Sequence, residues 1–261
     1  MFNDLSDQKV LITGSTAGIG LAVAKLFVAQ GAKVAINGRS QNETAEAALA
    51  SLKSLAEDPN NVVFIGADLS KSSQCEQLVA DFVTTFGGID VLINNAGGLG
   101  GRSGLELIDD AFYDHVMDLN ARSALMMTKY AIPHLRKSAA DSGKTSSVIS
   151  TGSIAGREGG GLGAGIYAAS KAWLHNIHRN WVKEYSKDNI RFNIVSPGTI
   201  DTQFHADKSD ELKDKIAGSI AFGRFGSSEE LAPSFAFFAS HQCSGYITGQ
   251  ILDVNGGQMS P

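Results

Sequence analysis

Tyr167 and Lys171 have the residue types and the spacing for acid–base chemistry in the stretch Tyr167-Ala168-Ala169-Ser170-Lys171. In a helix, residues four apart lie on the same face, one turn from each other. An ammonium close to a phenol favours the phenolate, so we expect the pKa of Tyr167 to fall from about 10 towards neutrality. Such a phenol can donate or accept a proton while a carbonyl is reduced or an alcohol is oxidised. Plain surface helices also carry such pairs, so this interpretation needs support elsewhere in the chain.

A glycine-rich turn near the N-terminus gives that support. The apolar run at 10–13 is followed at once by Gly14-Ser15-Thr16-Ala17-Gly18-Ile19-Gly20 and then by a helical pattern. Strand, glycine turn and helix are typical of a dinucleotide site, where backbone N–H groups at a helix N-terminus hold the pyrophosphate. We expect Gly14 to permit the tight turn, Gly18 to let the phosphates approach and Gly20 to let the helix pack on the sheet. The G-x-x-x-G-x-G spacing departs from the usual one, and a turn without a nucleotide is the alternative.

Composition limits the classes of function. The chain has 261 residues, 43% of them hydrophobic, which is enough for one globular domain. Its net charge of −5 argues against nucleic acid or an anionic membrane as the main partner. We see no signal peptide and no apolar run of about 18 residues, so we expect a cytoplasmic protein. Cys75 and Cys243 are the only cysteines, and we expect reduced thiols. The six histidines form no zinc pattern, so we expect no metal site.

Strand and helix patterns alternate along the whole chain. This alternation predicts an α/β fold, a single Rossmann-type domain over residues 1–261 with a doubly wound parallel sheet of about seven strands and helices on both faces. The predicted strands are 10–13, 33–37, 62–66, 91–94, 147–151, 191–195 and 251–254, and the predicted helices are 21–30, 43–57, 73–86, 109–137, 167–186 and 229–240.

The end of the second predicted strand bears on the choice of cofactor. In a dinucleotide fold an acid at this point binds the ribose 2′-hydroxyl of NAD, whereas an arginine accommodates the 2′-phosphate of NADP. Here Asn37 is followed by Gly38 and Arg39, and the planar fork of arginine suits a phosphate. We therefore expect NADP(H) to be preferred, with NAD(H) possible. After the third strand, Asp68-Leu69 is placed to contact the adenine, or Asp68 caps the next helix.

The order and spacing of these motifs are those of a known family. The chain resembles the short-chain dehydrogenases/reductases over nearly its full length. The matching elements are Thr13-Gly14, Gly18-Ile19-Gly20, Asn94-Asn95-Ala96-Gly97, Asn120, Ser153, Tyr167 with Lys171, Pro197-Gly198-Thr199, Ile247-Thr248-Gly249-Gln250 and Val254-Asn255-Gly256-Gly257.

The resemblance implies four catalytic residues. Tyr167 is expected to protonate the carbonyl oxygen as hydride arrives at carbon, and Lys171 to lower the pKa of Tyr167 and hold the nicotinamide ribose. Ser153 is expected to hydrogen-bond the substrate oxygen, and Asn120 to support a water chain that returns protons to Lys171. Ser153 is preferred to Ser150 because it precedes Tyr167 by fourteen positions, close to the family separation.

Cofactor contacts follow from the glycine turn and from the resemblance together. Among them, Ile200 and Thr202 are expected at the nicotinamide amide. The full set is Gly14, Ser15, Thr16, Gly18, Ile19, Gly20, Asn37, Gly38, Arg39, Asp68, Leu69, Asn94, Ala96, Gly97, Tyr167, Lys171, Pro197, Gly198, Ile200 and Thr202.

Several segments are similar to a narrower group, the bacterial reductases of 4-deoxy-L-erythro-5-hexoseulose uronate, the monosaccharide that exolytic lyases release from alginate. Those enzymes reduce its aldehyde to a primary alcohol, giving 2-keto-3-deoxy-D-gluconate, with NADPH or NADH. The segments include Ser150-Thr151-Gly152-Ser153-Ile154-Ala155-Gly156, Lys171-Ala172-Trp173-Leu174-His175-Asn176 and Phe204-His205-Ala206-Asp207-Lys208.

An anionic sugar acid of this kind needs a cation near the hydride donor. We expect Arg102 to pair with its carboxylate, assisted by Arg157 or His205, and Ser153 to bind its carbonyl oxygen. The substrate loops are expected at about 98–108, 154–166 and 200–222. Solvated loop charges are the alternative for each cation.

The family also implies oligomers, and we expect a homotetramer or a homodimer. A 3-oxoacyl-thioester or sugar reductase of the same fold is the alternative enzyme, and an NAD(P)H-sensing binding module is the non-enzymatic one.

Overall fold

One parallel sheet organises the chain in the computed structural model, which describes residues 2–202 and 209–260. The predicted α/β fold is confirmed, with all adjacent strands parallel. The strands are β1 (Lys9–Ile12), β2 (Lys33–Gly38), β3 (Val62–Gly66), β4 (Val91–Asn94), β5 (Ser146–Thr151), β6 (Ile190–Pro197) and β7 (Ile251–Val254), and their order in the sheet is β3-β2-β1-β4-β5-β6-β7.

Helices connect the strands and cover both faces of the sheet. They are α1 (Gly18–Ala29), α2 (Glu43–Lys53), α3 (Ser72–Phe86), α4 (Asp110–Met117), α5 (Ser123–Ser142), α6 (Ala155–Glu158), α7 (Gly165–Tyr185), α8 (Asp210–Ala217), α9 (Ser228–Ala239) and α10 (His241–Ser244).

Two apolar cores lie on opposite faces of the sheet, and the pleat of each strand supplies both. In β1, Val10 and Ile12 belong to the core under α1 and α9, while Leu11 belongs to the core under α3, α5 and α7. Large buried aromatics fill the two cores, with Phe235 in the first and Phe82 in the second. This alternation is what period-two side chains in a sheet buried on both faces require.

The strand order reverses between β1 and β4, which pair side by side. Val10 lies opposite Val91 and Ile12 opposite Ile93. The turn that follows β1 and the segment that follows β4 therefore leave the sheet at the same edge. In open parallel sheets this reversal point forms the ligand crevice.

The predicted helix at 109–137 contains a π-helical turn that the sequence did not predict. A π-helical turn, Asp118–Arg122, separates α4 from α5. The physical cause is Asn120, whose side-chain Nδ2 donates to the Val116 carbonyl oxygen at 2.9 Å. An asparagine that bonds the backbone one turn earlier competes with the regular ladder, and π turns often occur at functional sites.

The other helix boundaries are close to the predictions, except that α2 ends at Lys53 and not at 57. Across residues 2–202 and 209–260, no helix has both the length and the apolar character that crossing a bilayer needs.

Candidate active site

A cleft of about 530 Å³ opens at the carboxyl edge of the sheet, where β1, β4, β5 and β6 end. Its walls come from the glycine turn, the segment after β4, the segment after β5, α7 and the segment after β6. The predicted site residues that line it are Gly14, Gly18, Ile19, Ala96, Gly97, Arg102, Ser153, Tyr167, Lys171, Pro197, Gly198, Ile200 and Thr202.

Three of the four predicted catalytic residues meet in this cleft. Tyr167 and Lys171 lie one turn apart on α7, and the Lys171 ammonium is 5.8 Å from the centre of the Tyr167 ring. The Tyr167 hydroxyl is hydrogen-bonded to the Ser153 side chain. A phenol, an alcohol and an ammonium thus share one end of the cleft, which is the set that proton delivery to a carbonyl oxygen needs.

Burial opposes the expected lowering of the tyrosine pKa. Burial raises the pKa of Tyr167 above its usual 10, and the hydrogen bond with Ser153 acts in the opposite direction. Burial lowers the pKa of Lys171 to about 8. Lys171 is only 4% exposed, and its ammonium donates to the Thr151 carbonyl oxygen at 2.8 Å. This hydrogen bond holds the Lys171 ammonium against the backbone of β5.

Asn120, the fourth predicted catalytic residue, lies beneath the cleft and does not line it. Its Oδ1 accepts from the Gly98 N–H at 3.0 Å, and its Nδ2 donates to the Gly98 carbonyl at 2.9 Å. A Cβ at Gly97 would stand 2.7 Å from Asn120 Oδ1 and 3.3 Å from the Lys171 ammonium nitrogen. The Asn120 amide thus fixes the segment after β4 beside Lys171, while its role in a water chain stays a prediction.

The glycine turn has the tight geometry that the sequence predicts. Gly14 adopts φ +58°, and a Cβ there would lie 2.7 Å from Ala96 Cα. A Cβ at Gly20 would lie 2.5 Å from the Gly14 carbonyl oxygen. The turn and the segment after β4 therefore pack backbone to backbone, which only glycine allows.

A dinucleotide fits the residues at this turn. Helix α1 begins at Gly18 with its N-terminus at the cleft, and its N-cap residue Ala17 makes no side-chain capping bond. The first turn carries no acidic side chain. Uncapped backbone N–H groups at the positive end of a helix suit a phosphate.

Ser15 and Asn37 support the turn from within the fold. The Ser15 hydroxyl donates to the Ile12 carbonyl at 2.6 Å and accepts from the Asn37 N–H at 2.9 Å. The Asn37 amide nitrogen donates to the carbonyl of Ile65 at 3.0 Å. Both side chains are buried and support the backbone of the turn, while their contact with a cofactor stays a prediction.

Gly38 and Arg39 end β2 beside the turn. A Cβ at Gly38 would lie 3.1 Å from Thr16 Cγ2, so Gly38 and Thr16 are in direct contact. Arg39 is exposed and has no hydrogen bond or ion pair with the described residues. Its charge contributes to lowering the pKa of Asp68, after the larger effect of the Ser70 hydroxyl. The guanidinium is therefore near Asp68 and free to meet a ligand.

Asp68 does not cap α3, which begins at Ser72. Its Oδ1 accepts from the backbone N–H and from the hydroxyl of Ser70, at 3.2 and 2.8 Å, and so closes the turn before that helix. Leu69 is 6% exposed and packs in the second core. Both lie outside the residues that line the cleft.

The contact of Asn94 with the cofactor likewise stays a prediction. The Asn94 Nδ2 donates to Thr128 Oγ1 at 2.9 Å, so the side chain faces α5 and does not reach the cleft. The neighbouring Asn95 does reach it. Asn95 Nδ2 donates to the carbonyls of Thr13 and Gly14, and its Oδ1 accepts from the Thr151 hydroxyl.

The predicted nicotinamide end is formed by the segment after β6 and by the C-terminal segment. Gln258 Oε1 accepts from the Thr199 N–H at 2.8 Å. A Cβ at Gly198 would lie 2.7 Å from Asn255 Cβ, so the two segments are in close contact. Thr202 lies near Gly18, because a Cβ placed on Gly18 would lie 3.5 Å from the methyl carbon of Thr202.

The three predicted substrate cations have different positions. Arg102 lines the cleft, and its Nη1 donates to the Leu162 carbonyl at 2.6 Å. Arg157 instead pairs with Asp253 of β7 at 2.7 Å and does not line the cleft, and its contact with a substrate stays a prediction. His205 lies outside the described residues.

Asn95, His175 and Gln258 were not predicted as site residues from the sequence. Asn95 belongs to the motif Asn94-Asn95-Ala96-Gly97, and its place in that motif is the signal that could have identified it. His175 follows Lys171 by four residues, so helical spacing could have placed it on the same face. Nothing local marks Gln258, because only the fold returns the C-terminus to Thr199.

Comparison with known proteins now gives the family. Residues 14–259 match the family model described as enoyl-(acyl carrier protein) reductase. The 3-oxoacyl-[acyl-carrier-protein] reductase FabG of Chlamydia muridarum is 34% identical over 97% of this chain and 98% of its own. The chain belongs to the short-chain dehydrogenase/reductase family, and it is an NAD(P)-dependent oxidoreductase.

Two more relatives are informative about chemistry. A solved structure of the NADH-dependent reductase A1-R', responsible for alginate metabolism, is 61% identical, with a TM-score of 0.92 over 99% of this chain and all of its own. The same reductase is also known complexed with NAD. The NADPH-dependent aldehyde reductase 1 of Arabidopsis thaliana chloroplasts is 34% identical over 98% of this chain and 87% of its own.

Proposed function

We propose that this protein reduces the aldehyde of 4-deoxy-L-erythro-5-hexoseulose uronate to a primary alcohol, with hydride from a nicotinamide cofactor and a proton from Tyr167. The product is 2-keto-3-deoxy-D-gluconate. The observation that carries the chemistry is the meeting of Ser153, Tyr167 and Lys171 in one cleft that Arg102 also lines. The observation that favours this substrate is 61% identity to a reductase responsible for alginate metabolism.

The reduced nicotinamide, when bound, supplies the hydride that forms the new C–H bond at the aldehyde carbon. The Ser153 hydroxyl donates a hydrogen bond to the aldehyde oxygen and withdraws charge as the C=O π bond breaks. The Tyr167 hydroxyl gives its proton to that oxygen, and the new O–H bond completes the alcohol. Each turnover consumes one aldehyde, one hydride and one proton.

Lys171 makes the tyrosine a better acid–base group once a ligand fills the cleft. Its ammonium, 5.8 Å from the Tyr167 ring centre, is close enough to stabilise the phenolate that remains after proton transfer. The stabilisation is strong because Lys171 is buried, where water screens the charge poorly. Asn120 keeps the neighbouring segment in place through both bonds to Gly98.

Arg102 is proposed to hold the substrate carboxylate. Its Nη1 bonds the Leu162 carbonyl, which orients the guanidinium between the loops 98–108 and 154–166. The remaining N–H groups of the fork can take a carboxylate in two parallel bonds. These loops, with 200–222, are the proposed substrate loops of one domain spanning residues 1–261.

NADPH is the proposed preferred cofactor, with NADH also accepted. Arg39 is exposed at the end of β2 without a partner in the described chain, and Gly38 leaves no acid to repel a 2′-phosphate. The relative A1-R' is NADH-dependent, so a comparison of rates with NADPH and NADH must exclude a preference of this protein for NADH. We further propose a homotetrameric, cytoplasmic enzyme, since that compartment holds the NAD(P)H pool.

The test is an assay of the purified protein on keto-uronate from exhaustively lyase-digested alginate, with NADPH and NADH in separate runs. We expect loss of nicotinamide absorbance with both cofactors, faster with NADPH, and chromatographic detection of the alcohol product. Ser153→Ala should lower kcat about 10²-fold or more, because it removes the hydrogen bond to the oxygen.

Acetoacetyl thioesters serve as the competing substrate, since FabG-type relatives reduce 3-oxoacyl groups according to their names. Turnover of the thioester without turnover of the keto-uronate would replace the proposed substrate with that class. No turnover with either, together with nucleotide binding, would favour the sensing module.

A further inference from the structure

His175 lies two turns after Tyr167 and one turn after Lys171 on α7, and its ring is 6% exposed. Its Nε2 accepts a hydrogen bond from the Ser153 backbone N–H at 3.4 Å. The imidazole therefore joins the segment that carries the serine to the helix that carries the tyrosine and the lysine. None of the proposed catalytic steps uses this ring.

The backbone around Ser153 shows why this bond is distinctive. The N–H groups of Gly152 and Ile154 both donate to β6, to the carbonyls of Val195 at 2.8 Å and Pro197 at 3.0 Å. The N–H of Ser153 lies between them and faces α7, where His175 accepts it. One side of this extended segment is thus held by backbone carbonyls, and the other side by a single imidazole.

Two glycines leave the space that the ring occupies. A Cβ at Gly152 would collide with His175 Nε2, and it would also lie 2.7 Å from Ile194 Cγ2. A Cβ at Gly156 would lie 3.2 Å from His175 Cε1 and 2.9 Å from the Ala172 backbone N. The segment after β5 and α7 therefore approach each other closely around His175.

Burial and the charges around the His175 ring keep the ring neutral, and a ring nitrogen can accept a hydrogen bond only in a neutral ring. The groups that act on it are Lys171 and His178 on its own helix, Arg157 of α6 and Asp253 of β7. Burial, followed by the positive charges of Arg157 and Lys171, lowers the pKa of His175 to about 4, and only Asp253 opposes them. At neutral pH the ring is then uncharged, and the Ser153 N–H that points at Nε2 assigns the single ring proton to Nδ1, so that Nε2 can accept.

We propose that His175 is a positioning residue that holds Ser153 at hydrogen-bond distance from Tyr167 by accepting the Ser153 backbone N–H. Misplacement of a catalytic group by about 1 Å can cost up to 10²-fold in rate. The inference rests on the proposed carbonyl reduction but not on the identity of the carbonyl substrate.

The test compares His175→Leu with His175→Gln and His178→Leu. Leucine fills the space but cannot accept, whereas the glutamine oxygen can replace Nε2 as the acceptor. His178 is a matched control, because it lies on the same helix and is 1% exposed, and its ring interacts with the backbone of Gly249 and not with Ser153. Nucleotide affinity and thermal unfolding are measured for each, so that loss of folding is seen separately.

We expect His175→Leu to lower kcat at least about tenfold with KM changed less than about threefold, since positioning affects the reaction more than binding. His175→Gln should recover most of the loss, and His178→Leu should keep kcat within about twofold. In a Ser153→Ala background, His175→Leu should cost almost nothing further, because the two residues act through one group.

Equal losses in His175→Leu and His178→Leu, or a full additional loss on top of Ser153→Ala, would overturn the proposal and leave His175 a packing residue. Wild-type inactivity on the keto-uronate is a different result: it contradicts the proposed substrate, and the same series is then run on the carbonyl compound that the wild type does reduce.

Discussion

At the scale of single residues, Lys171 combines a necessary charge with an unfavourable position. Its ammonium is buried and has one described hydrogen bond, to the Thr151 carbonyl. Burial lowers its pKa to about 8 from 10.5, which means that the fold disfavours the charged form. Such a group is kept for chemistry at a cost in stability, as active sites often are.

Replacement of Lys171 by methionine should therefore remove activity and stabilise the fold. One pKa unit corresponds to about 1.4 kcal/mol, so the buried charge costs at most roughly 3–4 kcal/mol, reduced by about 1 kcal/mol for the lost hydrogen bond. We expect Lys171→Met to raise the free energy of unfolding at pH 7 by about 1–2 kcal/mol in urea titrations, while kcat falls below detection.

The pH dependence of that difference has a definite sign. Between pH 8 and 10.5 the unfolded chain holds the lysine proton and the folded chain does not, so the penalty is largest below pH 8 and vanishes above 10.5. The stability advantage of Lys171→Met should shrink over this range. Lys183→Met, an exposed change on the same helix, should stay within about 0.5 kcal/mol of wild type. A Lys171→Met protein less stable than wild type at pH 7 would refute the argument.

Arg39 gives the second prediction at this scale. If its guanidinium holds the 2′-phosphate, Arg39→Ala should raise KM for NADPH about tenfold or more, in line with about 1.5–3 kcal/mol for a bond to a charged group. KM for NADH should change less than twofold and is the internal control. Unchanged KM for NADPH, measured by steady-state kinetics, would remove Arg39 from the cofactor site.

The chemistry of single residues was largely predictable from sequence where a motif fixes it. Tyr167 and Lys171 were predicted from type and spacing and Ser153 from the family resemblance, and the structure brings the three together. The contacts of polar side chains in the same motifs were harder to predict. Asn37 and Asn94 are used inside the fold, because a buried amide bonds whichever backbone or hydroxyl group lies within reach, and sequence does not show which does.

At the scale of elements, the π-helical turn Asp118–Arg122 decides where Asn120 points. The alternating strand and helix patterns predicted one helix across 109–137, because such patterns mark a helical stretch without locating a π-helical turn inside it. The bond of Asn120 to the Val116 carbonyl is a tertiary feature, and its partner Gly98 is 22 residues away. The strands were predicted well because runs of buried apolar residues mark them directly.

Gly97 and Gly98 test this element as a matched pair. A Cβ at Gly97 would stand 2.7 Å from Asn120 Oδ1, whereas one at Gly98 would meet only Leu119 Cδ2 at 3.7 Å. Gly97→Ala should displace Asn120 and lower the free energy of unfolding by about 1–3 kcal/mol, the usual cost of overpacking. Gly98→Ala should cost less than half as much in the same denaturant titration. Equal stability of the two variants would show that Asn120 is not held as described.

At the scale of the whole molecule, the strand order brings segments far apart in sequence to one edge of the sheet. The ends of β1, β4, β5 and β6 all border the cleft. Alternating patterns predicted this α/β architecture, but the return of Gln258 to Thr199 depends on the complete fold. The far side of β7 is an edge of the sheet in the described chain, and edges are protected in stable proteins.

The proposed tetramer can be tested at that edge. Tyr246, just before β7, is fully exposed, and Leu252 on β7 is 38% exposed. Large apolar side chains beside an open edge are typical of an interface. We expect light scattering to give four chain masses for the wild type and two for Tyr246→Asp with Leu252→Asp. Leu212→Asp, on α8, should remain tetrameric. A wild-type protein of one chain mass would contradict the proposal.

The most direct test of the central claim follows the transferred hydride. The protein is incubated with the keto-uronate and a reduced nicotinamide cofactor carrying two deuterium atoms at C4, and the product is examined by mass spectrometry and NMR. The account predicts one deuterium, located on the new primary alcohol carbon, and no product from Tyr167→Phe. Product labelled at the carbon of the former ketone, product without deuterium, or undiminished turnover by Tyr167→Phe would contradict it.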